Sequence, residues 1–159
     1  DIAGGGVHEH IEFLRAGKLR NLQQTGSKDL EVDGVGTLRS IGNILPGIKP
    51  LLPVGGVYNI ALKRSTPVPI LEKIKPAFEA AVASEAFQAT AKSKYFDVDV
   101  RTGADADRRA ALLESITAKT FWDTQEQIGK KVKSSADLGL PDPAKFAEWW
   151  PPQGYKPRM

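Results

Sequence analysis

Apolar residues recur along the chain with two different spacings, and each spacing predicts a different element. Val7, Ile11 and Leu14, with Phe13 beside them, fall on one face of a helix over 7–16. Ala16-Gly17 supplies its stop, because glycine accepts the left-handed conformation that closes a helix. Leu19 to Gln24 reads as a short strand. From Gly26 to Gly56 turn residues dominate: Thr37 to Ile41 suits one or two helical turns, and NILPGIKPLLPVGG sets three prolines and three glycines among apolar residues. Val57 to Leu62 (VYNIAL) is the strongest strand signal, apolar and partly β-branched.

Beyond it the helical spacing returns. Ser65-Thr66-Pro67 is a helix start, a capping hydroxyl followed by a proline suited to the first helical position. Ile70, Ile74, Phe78 and Val82 then define a stripe expected to be buried. Pro76 is expected to kink or end that helix, and Ser84 to cap a fresh one. Phe96-Asp97-Val98-Asp99-Val100 alternates as a strand with one polar face. Asp105 is expected to cap a long helix reaching Gly129, with Leu113, Ile116, Thr117 and Phe121 on one face. Ser135 suits the cap of a single turn, and Leu140-Pro141-Asp142-Pro143 ends it. The tail KFAEWWPPQGYKPRM reads as a packed or partner-facing extension. Alternating helices and strands predict an α/β fold. Only about three strands are visible, few for a self-sufficient sheet.

Composition narrows the function classes. In 159 residues, 41% are hydrophobic and 26% charged, an ordinary balance for a globular domain. The net charge of +3 is spread along the chain, with Lys130, Lys131 and Lys133 the one tight cluster, which argues against a nucleic-acid partner and suits attraction of a small anion. Without cysteine there is no disulfide framework, thiolate metal site or cysteine nucleophile. No window approaches the roughly 20 apolar residues of a membrane span.

Catalytic signatures are missing: the chain has no GxSxG, no HExxH, and no GxGxxG after a strand. His8 and His10 point apart on a helix and lack a third ligand, so no metal is expected there. Asp97 and Asp99 are explained by a solvated strand face. Gly4, Gly5 and Gly6 precede the first helix, where backbone N–H groups can receive an anion; the plain alternative is a flexible turn. No cofactor is called for.

Taken in order, Asp1, the Gly4–Gly6 loop, Ala16-Gly17-Lys18-Leu19-Arg20, Thr37-Leu38-Arg39-Ser40, Leu45-Pro46-Gly47, Tyr58 to Leu62, Ser65-Thr66-Pro67 and Lys130 to Pro141 resemble the second half of the substrate-binding proteins of tripartite tricarboxylate transporters, the Bug receptors. The resemblance implies a type II periplasmic-binding-protein (Venus-flytrap) fold. This chain would supply most of lobe two together with elements returning to lobe one. Residues 1–56 would be part of the second lobe, 57–129 a return strand and helices packing on the first lobe, and 130–159 a C-terminal extension. It implies a periplasmic receptor made with a signal peptide, monomeric when complete with an N-terminal lobe outside this sequence. The receptor would close on a small organic acid and deliver it to a cognate membrane transporter, without catalysis. Gly4, Gly5, Gly6, Val7, His8, Thr25 and Tyr58 would face the ligand. The rival is an enzyme on a related two-lobed scaffold with its catalytic residues elsewhere.

Overall fold

A computed structural model describes residues 1–158, which fold as two compact units, Asp1–Val100 and Arg101–Met159. In the first unit, helix α1 (Val7–Arg15) leads to a β-hairpin, β1 (Leu30–Val32) and β2 (Gly36–Leu38). Two 3-10 turns follow, Ile41–Asn43 and Pro46–Leu51, and then helices α2 (Val68–Ala83) and α3 (Glu85–Ser93). The second unit is built on helix α4 (Gly103–Asp123), with short turns at Ala136–Leu138 and Pro143–Lys145 and a final helical turn, α5 (Phe146–Trp149).

The expected Venus-flytrap sheet is not formed. Helix accounts for 47% of the chain and strand for 5%, and the strands make a single antiparallel pair with Leu30 opposite Leu38 and Val32 opposite Gly36. The α/β fold class and the assignment to the Bug receptor family therefore do not hold. The physical reason lies in the two strongest strand signals. Val57–Leu62 and the 96–100 segment are free of helix but pair with no neighbour among the described residues. Alternation shows that a segment can join a sheet; the sheet itself needs a second strand beside it. Leu19 to Gln24 likewise forms no strand, only a parallel bridge from Gln24 to Ser40.

The hairpin lies within the region that sequence assigned to turns. Asp33-Gly34 is its signal, an Asp-Gly pair between apolar positions. Gly34 has φ +78°, a conformation that costs other residues, and the Val35 N–H closes the turn on the Val32 carbonyl at 3.0 Å. Val32 and Leu38 are buried, and with Val82 and Ala91 they make the small apolar core of this unit.

Much of the first unit is held by polar contacts. Ser40, almost fully buried, donates from its hydroxyl to the Gly26 carbonyl (2.6 Å) and accepts from the Gly42 N–H (3.3 Å). Its own N–H and the Asn43 amide both donate to Asp29 Oδ1 at 2.7 Å. Gln24 joins this knot by donating to the Lys28 and Leu38 carbonyls. Arg15, in the last turn of α1, donates to the Asp33 carbonyl (3.0 Å) and to the Tyr95 hydroxyl (3.2 Å), tying helix, hairpin and the end of α3 together.

Helix α2 begins at Val68 with Pro67 as its cap residue, and it runs through Pro76 without ending. Proline there removes one backbone donor, and the carbonyl it leaves unpaired belongs to Glu72, an exposed residue on water. Of its expected stripe, Val82 is buried, Ile74 and Phe78 are half-buried, and Ile70 is exposed. Ser84 does cap α3, accepting from the Phe87 N–H at 3.3 Å.

In the second unit α4 buries Leu112, Ser115 and Ala118, a stripe one position away from the one expected; Thr117 and Phe121 are exposed. Ser115 fits because its hydroxyl donates to the Ala111 carbonyl at 2.8 Å, one turn back. The helix stops at Asp123 instead of Gly129. The tail packs: Phe146, only 3% exposed, gathers Trp149 and Trp150 at centroid distances of 5.8 and 5.9 Å, with the Arg108 guanidinium 5.5 Å from its ring. Tyr155 packs against Trp150 with its ring tilted, centroids 4.8 Å apart, and donates to Asp107 at 2.8 Å. No helix among the described residues is long and apolar enough to cross a membrane.

Candidate functional site

The glycine loop leads into α1 as its sequence suggests, and the anion at the helix start comes from the chain itself. The Gly6 N–H donates to Glu9 Oε2 at 2.5 Å. A carboxylate at the third helical position is well placed for the partial positive charge of a helix N-terminus. Gly5 is pressed against the Glu9 and His10 side chains, and a Cβ there would lie 2.6 Å from each. Gly4 stands in open space, and Val7 is half-buried in the first turn.

His8 and Tyr58 are brought together through a residue that sequence had not singled out. The Phe96 ring lies 4.8 Å from His8, edge to face, and 5.5 Å from Tyr58. The available signal was Phe96 at the head of an alternating segment, a bulky ring at a strand-like end. Thr25 is placed elsewhere: its hydroxyl donates to the Val54 carbonyl, and the Val54 N–H returns a bond to the Thr25 carbonyl at 2.9 Å. The threonine thus clasps the chain at Val54, just before Val57–Leu62. None of the seven residues named from sequence lines the groove formed by Arg20 and Arg39.

A different part of the first unit forms a groove with polar groups in its lining. The exit from α1 is shaped by Gly17, at φ +66°, whose N–H bonds to the Leu14 carbonyl at 3.0 Å while the Lys18 and Leu19 N–H groups both return to Phe13. That turn throws Leu19 to Gln23 alongside β2. Arg39 is fixed on the other side, its carbonyl accepting from the Gln24 N–H at 3.2 Å. Between them opens a groove of about 410 Å³. Leu14, Leu19, Val35 and Leu38 give it apolar walls, while Arg20, Asn21, Gln23, Thr37 and Arg39 bring polar groups.

Its electrostatics are cationic. Among the described residues neither Arg20 nor Arg39 makes a side-chain hydrogen bond or ion pair. Thr37 donates to Glu31 at 2.6 Å and so occupies that carboxylate on the hairpin. Gln23 Oε1 is buried with no hydrogen-bond partner, an acceptor left open within the same lining. Two guanidinium groups and an unmet carbonyl oxygen can together hold a molecule that carries both carboxylate and hydroxyl groups. Arg20 is the last residue of the AGKLR run, and the sequence offered no sign that Arg39 would join it. Among the described residues no group of three or more His, Cys, Asp or Glu side chains could hold a metal.

Comparison with family models, with curated proteins and with solved structures finds no match for this chain.

Proposed function

We propose that the first unit binds a small organic anion, and that Arg20 and Arg39 provide the charge that holds it. The single observation behind this reading is that two guanidinium groups free of ion pairs line one groove of about 410 Å³, a size ordinary for small-molecule sites. A planar guanidinium can grip a carboxylate with two parallel hydrogen bonds. Gln23 Oε1 would accept from a hydroxyl or protonated acid on the same ligand, which favours hydroxy-carboxylates over simple fatty acids. The modest net charge of +3 assists encounter without demanding a polyanion.

Reversible binding, with no bond made or broken, is the proposed activity. Calorimetric titration at low salt with a panel of di- and tricarboxylates, with and without hydroxyl groups, tests it. Saturable binding is expected. Each of Arg20→Gln and Arg39→Gln should weaken it by about tenfold or more, the cost of one charge-assisted hydrogen-bonding group. Absence of binding across the panel, or wild-type affinity in both variants, overturns the reading.

A further inference from the structure

Among the described residues two buried side-chain atoms, His10 Nε2 and Gln23 Oε1, have no hydrogen-bond partner in the chain. Buried polar atoms are nearly always paired, so each exception asks for a cause. For Gln23 a cause is at hand, because it lines the groove of Arg20 and Arg39, which His10 does not. The donors in that lining leave its oxygen alone. Neither guanidinium bonds to it, and the Asn21 amide donates instead to the Gln23 main-chain carbonyl at 3.4 Å.

We infer, resting on the anion-binding role proposed for Arg20 and Arg39, that Gln23 decides which anion is held: a dicarboxylate whose hydroxyl group donates to Gln23 Oε1. The two guanidinium groups answer two carboxylates. What remains for Gln23 Oε1 is a donor. An ionised carboxylate accepts only, so a third one set against this oxygen would bring two acceptors together. An ammonium group donates, but it would add positive charge to a groove that already holds two guanidinium groups. A hydroxyl group donates and brings no charge.

Burial of the oxygen makes this selection strong. A hydrogen bond formed on binding ordinarily replaces a bond to water at each end, which leaves little net gain. Gln23 Oε1 is closed off from solvent, so only the ligand gives up a bond to water there. Sites with a buried group meant for a ligand hydroxyl discriminate well against the analogue that lacks it. Leu14, Leu19, Val35 and Leu38, the apolar walls, offer the oxygen no substitute donor from their side chains, and the Thr37 hydroxyl is spent on Glu31.

Calorimetric titration of the whole chain with malate, succinate and aspartate tests the selection. These diacids share one carbon skeleton and differ at one carbon, which bears a hydroxyl, a hydrogen or an ammonium group. Malate should bind about tenfold or more tighter than succinate, and aspartate more weakly than malate. Gln23→Leu and Gln23→Met both remove the oxygen while keeping bulk, and in each the preference for malate over succinate should shrink to within about twofold. The wild-type comparison depends on no variant folding. Equal affinity of the wild-type chain for malate and succinate overturns the role of Gln23 and leaves that of the arginines standing. So does a preference kept at its wild-type size by either variant, or aspartate binding as tightly as malate. Binding of none of the three overturns the anion-binding role together with the selection.

Discussion

The two units of this chain solve the same problem, making a stable fold from little apolar material, in opposite ways. Unit 2, from Arg101 onward, wraps an aromatic tail around one long helix. Phe146 and the tryptophans sit close to α4 through Arg108, and Tyr155 is tied to Asp107. Unit 1, from Asp1 to Val100, is held by a knot of polar side chains around Ser40 and Asp29 and by Arg15 reaching to Asp33 and Tyr95. It leaves its most strand-like residues on the outside. The difference teaches where interaction is to be sought. Unit 2 spends Phe146, Trp149, Trp150 and Tyr155 on one another, whereas unit 1 keeps two uncompensated guanidinium groups on its surface.

The largest break in this comparison should come from Phe146→Ala. Removing a buried ring from so small a core costs about 3–5 kcal/mol, enough to unfold unit 2. Near-ultraviolet circular dichroism should lose its tryptophan signal, because Trp149 and Trp150 both stand on that ring. A transition unchanged in urea would mean that the aromatic cluster is decoration.

Ser40→Ala is the matching test of unit 1. It leaves the Gly26 carbonyl and the Gly42 N–H without their partner, a loss of about 1–3 kcal/mol for buried polar groups. Amide hydrogen exchange should speed up in residues 24–43 and stay constant in α4. Uniform exchange in both variants would erase the distinction between an apolar and a polar core.

The smallest effect concerns acid. In unit 2 the Ser134 hydroxyl and N–H donate to Asp137 at 2.7 and 3.1 Å, and they hold its carboxyl below the ordinary 3.8. A carboxyl depressed by folding contributes stability that is present above its ordinary value and lost as pH falls through the depressed one. Ser134→Ala should therefore move the Asp137 titration upward, seen by carbon-detected NMR, and flatten this acid dependence. Should the titration stay put, the hydroxyl is not the cause.

Much of the helical content could be read directly. Gly17 stops α1, Ser84 caps α3, and the helices α2 and α4 exist where apolar spacing placed them. These are local matters, decided by backbone conformation and by side chains within one turn. The errors share another cause. Leu113, Ile116 and Phe121 were as apolar as the residues α4 buries, and only the neighbour packed against the helix chose the adjacent face. The hairpin at Asp33-Gly34 had a recognised turn signal that was submerged in a glycine-rich stretch.

The site followed the same division. A helix N-terminus beside Gly4–Gly6 is visible from sequence, but whether a ligand or Glu9 occupies it depends on a side chain folding back. Arg20 and Arg39 stand 19 positions apart in the chain, so no local pattern could place them on one groove.

By itself the sequence determined where the main helices lie, the stop of α1 at Gly17, the cap of α3 at Ser84 and the β-propensity of Val57–Leu62 and the 96–100 segment, since each depends on interactions within a few residues. Only the tertiary structure decided that those segments stay unpaired, that Thr25 serves Val54, and that two guanidinium groups share a groove. Strand pairing, burial and charge proximity are relations between distant parts of the chain, and their free energy exists only once those parts have met.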